Sequence, residues 1–260
     1  MDIHGGLARV CACGSAIEDS SISRLSALFR TIDALSTISV TMKLTRYGTD
    51  VIVVTLLLAL GLFVAGMFVD ILALRILLIL LAVLLAAFTL YFFRDPERVI
   101  PGESDGIVLS PADGKVVVIR DVVDDEYLKA PAKQISIFLS PLNVHVNRAP
   151  ISGTVEHFIY NTGQFVAAFH DKASELNERT HIGITNGRFR VLTKQIAGAI
   201  ARRIVCPIKV GDTLSIGERF GMIKFGSRTD IIVPAEMVVD VQLGQMVVGG
   251  ETVLCHLPNA

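Results

Sequence analysis

Residues 51–69 read VIVVTLLLALGLFVAGMFV and residues 76–93 read ILLILLAVLLAAFTLYFF, two uncharged apolar runs separated by a short stretch that holds Asp70 and Arg75. Each run is about the length that a helix needs to cross the hydrocarbon of a bilayer, roughly 20 residues. A helix packed into a soluble core keeps a polar stripe toward water, and neither run has one. The two are therefore read as a tight transmembrane hairpin rather than a buried helical pair. Lys43 and Arg46 precede the first span and Arg94 and Arg98 follow the second. The preference of basic flanks for the cytoplasm places both ends, and with them the bulk of the chain, on the cytoplasmic side of a cell membrane. The first run starts too late and is too long for a secretory signal.

Outward from the hairpin the composition changes in both directions. Residues 1–41 are rich in Ser and Ala, weakly patterned, and carry Cys11 and Cys13 in a run without ligand geometry. They are expected to be a weakly structured extension, with Met42 as the native start of a short basic lead, MKLTRYGTD, into the first span. Residues 95–260 have the composition of a soluble β-rich domain. Strands are expected at 115–119, 134–139, 144–147, 153–160, 182–185, 188–195 and 203–208. Turns are marked by PADG at 111–114, Asn186-Gly187 and Gly211-Asp212, and a helix is expected over 164–179. The expected fold is thus α+β and mostly β, with a hairpin over 42–94 and a β-rich domain over 95–260. Near the end, VGDTLSIGE at 210–218 and LGQMVVGGE at 243–251 place an apolar residue, two glycines and a Glu at one spacing. This echo resembles the paired hairpins of barrel-sandwich hybrid domains, although two ordinary hairpins would share it and no carrier lysine stands at a tip.

The whole chain of 260 residues is 52% hydrophobic and 19% charged, with mean hydropathy +0.57 and net charge -1. So balanced a chain lacks the clustered basic surface on which nucleic-acid binding rests. Its 4 cysteines form no CxxC, and its 6 histidines form no HxH, HxxxH or HExxH, so neither a disulfide framework nor a metal site is expected. GxSxG, Walker and GxGxxG signatures are also missing. What remains is Asp113 in SPADG, His145 in PLNVHVNR and the pair Gly226-Ser227. Each has an ordinary reading: a turn aspartate, a packed strand histidine, a loop dipeptide. From the residues alone they amount to a scattered Ser, His and Asp set.

Taken in order, FFRDPER (92–98), SPADGK (110–115), NVHVNR (143–148), NER (177–179), QIAG with ARR (195–203) and GERFGMIKFGSRTD (217–230) resemble the short-form phosphatidylserine decarboxylases. The resemblance implies a proenzyme that cuts itself between Gly226 and Ser227. It would leave a β chain ending at Gly226 and an α chain of 34 residues (260 less 226) headed by a pyruvoyl group made from Ser227. That chemistry suits the residue types: a glycine carbonyl has no Cβ to obstruct attack by the Ser227 hydroxyl and tolerates strained backbone. The pyruvoyl cofactor would form a Schiff base with the amine of phosphatidylserine and act as electron sink for loss of CO2, leaving phosphatidylethanolamine. By the same resemblance His145 is the proton donor to the decarboxylated carbon and Asp113 assists activation of Ser227. Longer members carry a second His where Arg148 stands here, so their self-cleavage triad does not transfer whole, and His145 serves one or both steps.

Arg148, Arg179, Arg202, Arg203 and Arg228 are candidates to hold the substrate's phosphate or carboxylate, against the plain reading of solvated arginines. QFVAAF at 164–169 is either a lipid-facing lid or the core face of the expected helix. A homodimer is implied by the resemblance alone. Two other functions are kept open: the same chemistry on another serine-headed lipid, such as archaetidylserine, and a non-catalytic membrane-tethered β domain.

Overall fold

The computed structural model describes residues 43–101, 106–163, 177–198, 203–224 and 227–258. The chain divides after Met42, and all the described residues belong to the unit Lys43–Ala260. The extension over 1–41 and nearly all of the helix expected at 164–179 lie outside the described residues, and Arg179 opens a strand.

The two apolar runs form helices α1 (Thr49–Met67) and α2 (Leu72–Phe92), packed side by side and joined by a short turn. Both are long and apolar enough to cross a membrane. Leu57, Leu58, Leu80 and Leu84 remain more than half exposed, an arrangement that water would penalise and that a hydrocarbon surrounding satisfies. The two ends of the hairpin are tied together. Thr45 N–H donates to the Phe93 carbonyl (2.9 Å), Asp95 N–H donates to the Lys43 carbonyl (2.7 Å), and Leu44 bridges Arg94 between them. A belt of charge closes the base: Asp95 pairs with Arg148 (3.1 Å) and Arg219 (2.6 Å), and Glu97 with Lys43 (2.7 Å) and Arg219 (3.1 Å).

The rest is antiparallel β-structure. The strands are β1 (Ile107–Leu109), β2 (Gly114–Asp124), β3 (Ala130–Leu139), β4 (Val146–Arg148), β5 (Gly153–Asn161), β6 (Arg179–Thr185) and β7 (Arg190–Ala197). They continue as β8 (Arg203–Val205), β9 (Thr213–Leu214), β10 (Arg219–Lys224), β11 (Ser227–Pro234), β12 (Val238–Val239), β13 (Met246–Val247) and β14 (Val253–His256). Among the described residues they make an eight-stranded sheet, β13-β2-β3-β11-β7-β6-β5-β9, and two smaller ones, β4-β10-β8 and β1-β14-β12. The large sheet curls around a core in which Val116, Ile135, Ile137, Val155, Ile182, Ile184, Val191, Ile231 and Val233 are buried with Phe220 and Leu254. Its architecture is the mostly β fold with a helical hairpin that the sequence led us to expect. Five strands stand where none was expected, β1, β10, β11, β12 and β14, while β9 and β13 fall within the glycine echo, and the strand expected over 203–208 stops at Val205.

The echo between 210–218 and 243–251 is one part of a larger internal symmetry. Gly211 and Gly244 both take positive φ (95° and 88°), as do Gly217 and Gly250 (75° and 80°), the backbone region that an L side chain strains to enter. Gly211 N–H donates to Val155 and Gly244 N–H to Val116, each at 2.8 Å. A bulge follows at Val155 in β5 and at Val116 in β2. A Cβ on Gly153 would run into the Thr185 carbonyl, and one on Gly114 into that of Phe138. The strand order is therefore the same read from either end, with β13, β2, β3 and β11 matching β9, β5, β6 and β7. In one half β6 turns directly into β7 through Asn186-Gly187, with Asn186 Oδ1 accepting from the amides of Arg188 and Phe189. In the other half the corresponding ends, Leu139 of β3 and Ser227 of β11, are paired but are not joined by a turn. The chain leaves at Leu139, travels through β4 to β10, and returns at Ser227.

Candidate active site

The opened hairpin is where the candidate residues gather. Ser227 begins β11, in register with Leu139 on one side and Ala197 on the other, and is fully buried. Its backbone is therefore fixed by two strands while its Oγ finds no hydrogen-bond partner among the described residues. A buried hydroxyl left unpaired is costly, and such groups concentrate where chemistry needs them. Gly226 and Arg202 lie outside the described residues.

His145 reaches the same corner by two routes. A turn after Leu139, in which Asn143 Oδ1 accepts from Ser140 N–H (2.9 Å) and Oγ (2.7 Å), carries the chain to it. Its carbonyl also accepts from Ile223 N–H (3.3 Å), four residues before Ser227. The ring packs on Phe92, at the end of α2, with centroids 4.4 Å apart, and is fully buried. Nδ1 lies 2.9 Å from the Asn143 carbonyl, which can only accept, so Nδ1 carries the proton and Nε2 the lone pair. Nε2 is buried and has no partner among the described residues. Burial pushes the pKa down to about 4, which keeps the ring neutral at physiological pH. A neutral imidazole with a free Nε2 is a base in waiting.

Asp113 stands at the same end of the sheet but is engaged elsewhere. Its carboxylate takes both oxygens to Arg98 (3.0 and 2.8 Å) and accepts from Gly249 N–H (2.8 Å). Burial raises its pKa, with Arg98 opposing the rise. Register places the residue about two strand spacings, or roughly 10 Å, from the start of β11. The amide contact repeats in the other half, where Ser152 Oγ accepts from Ile216 N–H (2.9 Å), so the turn is part of the shared scaffold and the carboxylate with its arginine is what this half adds.

Beneath Ser227 runs a chain of buried polar side chains. Thr180 Oγ1 donates to Gln195 (2.6 Å), Gln195 Nε2 to Asn147 Oδ1 (2.8 Å), and Asn147 Nδ2 to the Pro111 carbonyl (3.3 Å) and Thr229 Oγ1 (3.4 Å). This network joins the segments that carry Asp113, His145 and Ser227, through Pro111, Asn147 and Thr229. Asn147 and Gln195 stand inside the motifs singled out in the sequence, but nothing local marks an amide as buried.

The four candidate arginines among the described residues are dispersed. Arg148 is buried and bound to Asp95, the Pro96 carbonyl (2.9 Å) and the Gly217 carbonyl (3.0 Å). Arg228 points to the face of β11 opposite Ser227, in a two-pronged pair with Asp230 (2.6 and 2.9 Å) that Gln134 extends. Arg179 donates to the Asn177 carbonyl (3.2 Å), and Arg203 is largely exposed, 4.0 Å from Asp50. Nearer the site is Arg94, which the sequence marked only as a basic flank of the hairpin and as part of a motif. It lies over the Tyr91 ring at 3.8 Å and donates to the Leu142 carbonyl (2.7 Å), and its charge bears on both His145 and Asp113. Cys206 and Cys255 are free thiols whose pKa burial lifts to about 12, which leaves them poor nucleophiles. Among the described residues no cluster of His, Cys, Asp and Glu could hold a metal.

A buried serine without a hydrogen-bond partner among the described residues thus stands at a break in a symmetric sheet, at the same end of the molecule as a buried neutral histidine and a hairpin long and apolar enough to span a membrane. The family profile of phosphatidylserine decarboxylase matches residues 85–255. A phosphatidylserine decarboxylase proenzyme of Chlorobium chlorochromatii is 50% identical over 212 residues, covering 81% of this chain and 98% of the relative. Proteins of the same name from Salinibacter ruber (50% over 175 residues, 66% of this chain and 77% of the relative) and Carboxydothermus hydrogenoformans (53% over 176, 67% and 82%) match as well. The chain belongs to the phosphatidylserine decarboxylase family, whose members are carboxy-lyases.

Proposed function

We propose that the chain is a proenzyme that cuts itself between Gly226 and Ser227 and then converts phosphatidylserine to phosphatidylethanolamine at the cytoplasmic face of a membrane. The observation that carries the reading is the buried Ser227 Oγ at the start of a strand held on both edges, with His145 Nε2 at the same corner, neither having a hydrogen-bond partner among the described residues. His145 Nε2 takes the hydroxyl proton, and Oγ bonds to the Gly226 carbonyl carbon as the C–N bond breaks, giving an ester and a free amine. Loss of the Cα proton then expels the Gly226 carboxylate, and hydrolysis of the resulting dehydroalanine releases ammonia and leaves a pyruvoyl group at 227. Ser227 fits this role: its hydroxyl is committed to no hydrogen bond among the described residues while its backbone is pinned. Once made, a pyruvoyl group at 227 would supply an electrophilic carbonyl able to act as electron sink for loss of CO2 from the amino-acid head group.

The chain's own residues then position and protonate. His145 holds a proton acceptor and, once protonated, a donor beside the reacting carbon. Phe92 and the polar chain beneath Ser227 keep water out. Asp113 and Arg98 brace the strand end from which the head group is met. The position of the site at the base of α1 and α2 suits a substrate whose acyl chains stay in the bilayer. The basic flanks Lys43, Arg46, Arg94 and Arg98 support the cytoplasmic orientation.

The test is intact mass spectrometry of the membrane-reconstituted protein beside Ser227→Ala. The wild type is expected to yield a C-terminal fragment of 34 residues (260 less 226) with a blocked, pyruvoyl-bearing end, and the variant to stay whole. A wild type that remains one chain would overturn the enzyme reading in favour of a tethered β domain.

A further inference from the structure

The two strands that lead into the break in the sheet end on a cation pair aimed at the membrane hairpin. Lys224, the last residue of β10, lies in register with Arg203, the first of β8. The Lys224 ammonium is buried, with 6% of its side chain exposed, and its hydrogen bonds among the described residues go to Asp50 Oδ1 (3.1 Å) and Oδ2 (3.4 Å). Arg203 stands 4.0 Å from the same carboxylate. Asp50 is the second residue of α1, where the helix enters its apolar run, and it is 61% exposed. The asymmetry matters. Asp50 could do without Lys224, because water solvates it, whereas a buried ammonium without an anion is strongly disfavoured. Lys224 therefore keeps its place only while α1 presents Asp50. The other helix makes a matching contact, Phe92 of α2 against the ring of His145 at 4.4 Å. One end of the hairpin thus holds the strand that leads to Ser227, and the other end holds the base.

We propose that Asp50 is a positioning residue for self-cleavage: by pairing with Lys224 it draws the end of β10 onto the hairpin, so that the bond between Gly226 and Ser227 reaches its reactive shape only when the anchor is seated. The inference rests on the self-cleavage reading above. Its consequence is order of assembly. A chain whose hairpin has not packed against the β domain stays uncut, and the reactive carbonyl is made only at the membrane surface where its substrate is.

The experiment follows the full chain, synthesised in the presence of bilayers, by pulse-chase on denaturing gels. Asp50→Asn keeps the size of the side chain and removes the charge, and is expected to slow the appearance of the 34-residue fragment about tenfold, as leaving one buried member of a charge pair unmatched should. Asp50→Glu is expected to cut within about twofold of wild type. Asp50→Lys combined with Lys224→Glu is expected to recover most of the rate lost in either single variant, which a merely steric role would not allow. Asp50→Asn also leaves the buried ammonium unmatched and is expected to lower the midpoint of thermal unfolding, so cleavage rates are compared well below the midpoint of every variant, where each is folded. Cleavage of Asp50→Asn at the wild-type rate would overturn the proposal. So would slow cleavage with no rescue by Glu or by the exchanged pair. A wild type that is itself never cut would instead overturn the self-cleavage reading.

Discussion

At the scale of single residues, Ser227 Oγ and His145 Nε2 are among the few buried side-chain atoms without a hydrogen-bond partner among the described residues, and they are of complementary kinds: a hydroxyl and a lone pair. Burial holds the His145 pKa near 4, below the ordinary 6.5. The folded chain thus binds fewer protons than the unfolded chain across that interval. Stability rises with pH through the window, is complete above about 6.5, and is lost as the pH falls toward 4. Titration of labelled His145 by NMR in the Ser227→Ala chain should show its midpoint near 4. A midpoint at or above 6.5 would mean that the ring is open to water, and the role of neutral base would fall.

At the scale of elements, the internal symmetry makes Gly114 and Gly153 equivalents, each pressed against a carbonyl of the neighbouring strand. Gly114→Ala and Gly153→Ala should therefore destabilise the protein by similar amounts, about 1–3 kcal/mol, as overpacking at a closed contact generally does. Denaturant unfolding of the two variants in the Ser227→Ala background checks this. A loss at one position without the other would show that the two halves differ in packing as well as in connection. The strands β10 and β11 were the elements hardest to read. Glycines at 221 and 226 and charges at 224, 228 and 230 break the alternation by which a strand declares itself. Arg228 and Asp230 lie within a central strand because each neutralises the other and Gln134 Nε2 donates a further hydrogen bond to Asp230 Oδ2. That compensation depends on β3 and has no local signature.

At the scale of the whole molecule, the expected cut severs the chain without separating its parts. The segment from Ser227 onward contributes β11 to the middle of the large sheet, paired with β3 and β7, and adds β13 beside β2 and β14 beside β1. The fragment of 34 residues should stay with the rest through purification in mild detergent and come away only in denaturant. Its release on a native column would show that the cut loosens the sheet.

The sequence by itself determined what depends on local composition and spacing. The apolar runs at 51–69 and 76–93 specify the hairpin, because the length and uniform greasiness of a segment decide its solvent whatever it later touches. The alternating stretches specify most of the strands, and the paired glycines near the end were a trace of the duplicated scaffold. The ordered motifs carried the family resemblance and marked Asp113, His145 and Ser227. Tertiary structure alone decided how these meet. The opened hairpin brings Ser227 and His145 to one corner, Arg98 and Gly249 claim Asp113, buried contacts hold Arg148 and Arg228, and Asp50 with Phe92 joins the anchor to the site. Those outcomes turn on desolvation. Whether a charge or hydroxyl is spent on the fold or left free for chemistry depends on which distant groups are buried beside it.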